Sequence, residues 1–161
     1  MEDKIKILKE FWESEKVSIS KPVTEDELLL FQSKNEVFLP DDFLEYFRTL
    51  NGTNDEYDVN FIRFHSLFNV KSINDGLKSF SGVPDYSNII NTLVDYKSYF
   101  VFADYSFHMF SYVIKLCNDS SVNNQVLVIC GDDYKLIANS FSEFIDLYLD
   151  NSIELQLNKE G

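Results

Sequence analysis

Apolar residues recur at intervals of three and four between residues 3 and 14, where Ile5, Leu8 and Trp12, with Ile7 and Phe11 beside them, share one face of a predicted helix. The run Thr24-Glu25-Asp26-Glu27 has the form of a capping box, with Val23 placed to staple onto Leu28. A second helix should therefore start at Thr24 and carry Leu28, Leu29, Leu30 and Phe31. A third should open at Pro40, since the first helical position loses nothing by lacking an N–H. Asp41 and Asp42 then sit at the positive end of the dipole, and Phe43, Phe47 and Leu50 follow at spacings of four and three. Asn51-Gly52 closes it, Gly52 being the natural left-handed residue past a helix end.

The middle of the chain is less regular. Residues 61–67 read as extended and 73–79 as a short helix around Gly76, and 82–88, which hold Pro84, read as loop. Residues 89–95 fit a helical turn or a strand equally, which leaves 86–95 open between helix and loop. Period-two alternation then dominates. Residues 99–103 and 110–116 are predicted strands around a 104–108 connection, with Phe110, Tyr112, Ile114 and Leu116 on one face. Residues 125–130 form a third strand, Gly131-Asp132-Asp133 its turn, and 134–138 the return. Ser140-Phe141-Ser142-Glu143 is a second capping box, opening a helix with Phe141, Phe144, Ile145, Tyr148 and Leu149 inward. Residues after about 150 are expected to fray. Helices, an antiparallel meander and a closing helix make an α+β fold, a single domain over 1–161 with its core at about 24–150.

Composition supports a packed core. The 161 residues are 45% hydrophobic and 16% aromatic, with only 5 Gly and 3 Pro. The formal net charge of −13 repels phosphate backbones and anionic membrane surfaces, so direct nucleic-acid and membrane binding are disfavoured. Arg48 and Arg63 are the only arginines, too few for a phosphate-gathering surface. Cys117 and Cys130 lack metal-finger spacing and read as reduced thiols. The amino terminus has no basic segment followed by an apolar one, and the expected compartment is the cytoplasm. Low arginine with high Lys, Asn, Ile, Phe and Tyr fits an AT-rich bacterial genome.

Candidate chemistry is sparse. His65 and His108 are the only histidines, and no nucleophile elbow, His-Glu-x-x-His or Cys-x-x-Cys spacing is present. No catalytic residue, metal ligand or cofactor site is assigned, and both histidines read as hydrogen-bonded structural groups. The glycine-poor chain offers no phosphate cradle. The distribution of acid is more informative. Residues 36–70 hold seven acids against two bases, and 116–158 hold seven against one, whereas the first 21 residues are balanced at five and five. An acidic face of this kind steers basic partners. The candidate contact residues are Asp41, Asp42, Glu45, Asp55, Glu56, Asp58, Asp132 and Asp133.

Three segments carry a family resemblance. The run Leu39-Pro40-Asp41-Asp42-Phe43-Leu44-Glu45-Tyr46-Phe47 closing at Leu50-Asn51-Gly52, the strand Phe100-Val101-Phe102-Ala103, and Ile137-Ala138-Asn139-Ser140-Phe141-Ser142-Glu143-Phe144-Ile145 resemble, in order and spacing, the SUKH superfamily. This is the family of bacterial immunity proteins that also includes the yeast cell-wall assembly regulators. The sequence departs from it after Phe102-Ala103, where such proteins often place a glycine and Asp104-Tyr105-Ser106-Phe107-His108 has none. The resemblance implies a non-enzymatic α+β domain that binds and neutralises a cognate toxin, commonly a nuclease or other toxin domain of a polymorphic secretion system. Leu39, Pro40, Gly52, Phe102, Ala103, Ser140 and Phe141, the matching positions, look like scaffold. An intracellular scaffold or regulatory interaction module is the second function the resemblance allows.

Overall fold

Local sequence signals set the helix ends. In the computed structural model, which describes residues 1–157, the Thr24 hydroxyl accepts the Glu27 amide at 3.2 Å and Glu27 Oε2 accepts the Thr24 amide at 2.9 Å. This capping box opens α2 (Glu25–Asn35), and Val23 and Leu28 are both buried beside it. The helix buries only Leu28 and Phe31; Leu29 and Leu30 face solvent. Before it lies α1 (Glu2–Ser14), burying Ile5, Leu8 and Trp12. After it comes α3 (Asp41–Thr49), for which Pro40 is the cap residue rather than the first helical one. Gly52 follows at φ +87°, and a Cβ there would stand 2.7 Å from the Phe64 carbonyl oxygen, so both conformation and space require glycine.

The remaining elements are β1 (Ile62–Phe64), β2 (Lys71–Ser72), α4 (Ile73–Leu77), α5 (Ile89–Thr92), β3 (Tyr99–Tyr105), β4 (Phe110–Lys115), β5 (Val126–Cys130), β6 (Asp133–Ala138) and α6 (Phe141–Leu149). The predicted extended run at 61–67 is shorter than expected, because a 3-10 turn at Leu67–Asn69 separates β1 from β2. The ambiguous 86–95 segment contains one helical turn, α5, between loops.

The sheet is antiparallel in the order β1-β3-β4-β5-β6, with β2 also on β3. The two short strands occupy the same side of β3: β1 pairs with residues 103–105 and β2 with 100–101. Both faces are covered. One packs under α1, α2, α3 and α6 on a core that includes Trp12, Phe43, Phe64, Phe102, Tyr112 and Phe144. The other packs under α4 and α5 through Ile73, Leu77, Tyr86, Ile89, Val113 and Ile129. The α+β architecture read from the sequence is the one observed.

Two predicted ends differ from the structure. At α6 the Ser140 hydroxyl accepts the Glu143 amide at 3.1 Å, but Glu143 Oε2 takes the Asn139 amide at 2.7 Å, one residue before the cap. The segment after Asp150 does not fray over 151–157: a 3-10 turn at Ile153–Leu155 buries Leu155, whose carbonyl accepts the Tyr112 hydroxyl at 3.0 Å. The expectation of fraying for 158–161 lies outside the described residues.

Candidate functional site

The site begins with a bulge. Along β3, Phe100, Phe102 and Asp104 have the same parity, so strict alternation would point Asp104 into the main core. The register shifts between Val101 and Ala103, placing Phe102 and Ala103 in the same core and turning Asp104 to the opposite face beside Ser111. Asp104 and Tyr105 thus belong to the strand, not to the connection predicted at 104–108.

Asp104 is fully buried and fully bonded. Its Oδ1 accepts Arg63 Nε at 2.9 Å and His65 Nε2 at 3.0 Å. Its Oδ2 accepts the Tyr57 hydroxyl at 2.6 Å and the His108 amide at 3.0 Å. Burial pushes this carboxyl up, but the His65 bond, the His108 ring, the Tyr57 hydroxyl and the Arg63 charge outweigh it and hold the group well below the usual carboxylate range. The Arg63 guanidinium also lies over the Tyr57 ring at 4.8 Å. Burial in turn raises Tyr57 and depresses His108.

A second chain of bonds runs from the His108 ring. His108 Nδ1 meets Ser111 Oγ at 2.9 Å, Ser111 Oγ donates to the Tyr86 hydroxyl at 3.3 Å, and that hydroxyl donates to the His108 carbonyl at 2.6 Å. The direction of these donors assigns the Nδ1–H tautomer to His108. Serine, histidine and aspartate are all here, yet they are not wired for nucleophilic catalysis: Ser111 is buried, and Asp104 bonds the His108 backbone rather than its ring. His65, Asp104 and His108 also offer ligand atoms within 4.8 Å of one another. A cation there would have to displace the Arg63 guanidinium from the carboxylate. The donor set suits an internal network better than a metal centre.

The network holds a turn in a costly shape. Ser106, Phe107 and His108, between β3 and β4, have φ of 43°, 54° and 61°, and the Met109 amide closes onto the Tyr105 carbonyl at 3.0 Å. This is a left-handed helical turn without glycine, at about 1–2 kcal/mol per residue. The strain is held in place because the Phe107 amide donates to the Tyr57 hydroxyl at 2.9 Å and the His108 amide to Asp104. The glycine that the family pattern leads one to expect is replaced by a buried carboxylate two positions before the turn.

The predicted acidic contacts separate into groups. Asp55 and Glu56 lie exposed on the loop whose Tyr57 packs on Phe107, at the end of the sheet where the β3–β4 turn emerges. Asp132 and Asp133 lie exposed at the β5–β6 turn, at that same end. Asp41, Asp42 and Glu45 are elsewhere, on α3. There Asp42 Oδ2 accepts the Ser142 amide at 2.8 Å, and Glu45 shares a hollow of about 280 Å³ with Lys6 and Lys9. Asp58 is buried: it accepts the Asn60 and Ile62 amides and the Tyr148 hydroxyl, so its charge is internal rather than presented.

This chain belongs to the SMI1 / KNR4 family (SUKH-1), whose pattern matches residues 22–147. The match spans the capping box of α2, the bulged β3 and nearly all of α6. No curated protein matches the chain. Among the described residues no helix is long and apolar enough to cross a membrane. Sequence reasoning missed the Asp104 network, whose members Tyr57, Arg63, His65 and Asp104 meet only through the β1–β3 pairing.

Proposed function

We propose that this protein is a bacterial cytoplasmic immunity protein that binds and neutralises the toxin domain of a polymorphic or contact-dependent toxin system, with no chemistry of its own. SUKH-1 proteins include toxin immunity proteins. The observation that carries the reading is that Asp55 and Glu56, on the loop before β1, and Asp132 and Asp133, at the β5–β6 turn, lie exposed at the same end of the sheet. Such a focus of negative charge suits a toxin with a basic surface, as a nuclease must have to accept a polyanion. Asp41, Asp42 and Glu45 form a second acidic region on α3, and Asp58 acts only indirectly, by fixing the 58–62 loop.

Co-expression with the polypeptide encoded immediately upstream tests the reading. Rescue of growth and a co-purifying complex, associating about tenfold or more slowly at high salt, is the expected result. Absence of both toxicity and complex would favour the other function, a non-enzymatic intracellular scaffold or regulatory interaction module.

A further inference from the structure

The turn between β3 and β4 carries an exposed aromatic that the fold goes to some length to present. Phe107 is 74% exposed, on a backbone conformation that its type rarely adopts. Two further apolar side chains are exposed on the adjoining backbone, Met109 (48%) and Phe61 (60%), whose carbonyl accepts the Ser106 amide at 2.9 Å. Tyr105 links Phe61 to Phe110 through ring contacts at 6.5 and 5.4 Å. The rim is acidic: Asp55 lies on one side with Glu56, whose Oε1 and Oε2 accept the Ser18 hydroxyl and amide at 3.0 Å, and Asp132 lies on the other, bonded by the Asn88 amide at 3.0 Å. The nearest arginine, Arg63, is already paired with Asp104.

Strain, exposure and charge point the same way. A phenylalanine in a left-handed turn, locked by a buried carboxylate, touches the Tyr57 ring at 5.0 Å and otherwise presents its face to water. An apolar centre with a charged rim is the anatomy of a protein-binding surface. We infer that Phe107 is the anchor of this protein's partner interface, inserting into an apolar pocket on a basic protein surface while Asp55, Glu56 and Asp132 pair with the pocket's rim. This rests on the toxin-binding reading and assigns its docking site. The α3 acids lie outside the contact.

The test measures binding of the upstream-encoded polypeptide to the intact protein and to three variants. Phe107→Ala should weaken the complex at least about 30-fold, mostly through faster dissociation, while the protein stays folded with only the small shift in unfolding midpoint that loss of the Tyr57 ring contact brings. Asp55→Asn combined with Glu56→Gln should slow association and flatten its salt dependence. Leu30→Ala, on α2 near the opposite end of β3, should leave binding within about twofold. A Phe107→Ala complex within about threefold of the parent would overturn the docking site and leave the toxin-binding reading standing. No complex with the parent protein would overturn both. A free protein that sediments as a dimer, dissociated by Phe107→Ala, would show self-association at this patch and also overturn the proposal.

Discussion

The Asp104 carboxylate and the Tyr57 hydroxyl, 47 residues apart in the chain, meet at 2.6 Å, and the same hydroxyl accepts the Phe107 amide at 2.9 Å. A buried charge thereby fixes the backbone of an exposed loop. Removing the carboxylate leaves Arg63, His65, Tyr57 and the His108 amide without their acceptor. Asp104→Ala should therefore destabilise the protein by about 3–5 kcal/mol, read as a lower urea midpoint at unchanged slope. A loss under about 1 kcal/mol would mean that water takes over the four donors.

The left-handed turn gives a prediction of opposite sign. Ser106 has φ +43°. Glycine relieves the clash between Cβ and carbonyl but adds freedom to the unfolded chain, so Ser106→Gly should raise stability by about 0.5–1 kcal/mol. Ser106→Val should lower it. Thermal unfolding of the pair decides, and a Ser106→Gly protein less stable than its parent would show that the serine has a role beyond backbone geometry.

How much of this was legible in the sequence depends on the range of the interactions. The caps at Thr24 and Ser140 and the glycine at 52 could be read because each is settled within about four residues. The Asp104 site could not. Its position on the second face depends on a bulge at Val101–Ala103 that no local signal announces, and its partners come from β1 and from the loop before it. Parity alone would have placed the carboxylate in the main core, and the absence of a glycine from 104–108 was the one visible trace. The order of 151–157 has no local signal either, because its anchor, the Tyr112 hydroxyl on the Leu155 carbonyl, is likewise a tertiary contact. Density of acid along the chain does not distinguish buried Asp58 from exposed Asp55.

Acid should weaken the fold in two stages. Burial depresses His108 below its ordinary 6.5, against the pull of Asp104 and with the help of His65 and Arg63. Above 6.5 the ring is neutral in both states and has no effect on stability. As the pH falls below 6.5 the unfolded chain takes up the proton first, so stability declines until the folded pKa is reached. Asp104 adds a second decline, because its folded pKa lies well below the ordinary 3.8, and the stability its ionised form contributes is lost as pH falls from there. His108→Asn keeps a donor toward Ser111 and tolerates the left-handed backbone. It should abolish the upper decline and keep the lower one, as followed by denaturant midpoints between about pH 7.5 and 2, from one pH unit above the first window to well inside the second. Parallel curves for the variant and parent would assign the upper decline to another group.

Asp58, Tyr148 and Trp12 offer the last test, because they show how an acid counted as surface charge acts inside the fold. Trp12 Nε1 donates to the Tyr148 hydroxyl at 2.8 Å, and that hydroxyl donates to Asp58 Oδ2. Trp12 comes from α1, Tyr148 from α6, and Asp58 from the loop leading into β1, so three distant segments close on one hydroxyl. Burial, and after it the Asp58 charge, pushes the Tyr148 hydroxyl above its ordinary range, keeping it protonated as a donor. Tyr148→Phe removes the hydroxyl and little volume. It leaves the Trp12 indole N–H without an acceptor and Asp58 Oδ2 without its hydroxyl donor, in a site too well packed for water to enter freely. The expected loss is about 2–4 kcal/mol, larger than for a neutral hydrogen bond because one partner is ionised. Asp58→Asn, which keeps the shape and removes the charge, should lose less. If the two substitutions were made together, the combined loss should fall well short of their sum, since both break the same bond. Additive losses in that double-mutant cycle would show that the hydroxyl and the carboxylate stabilise the fold independently.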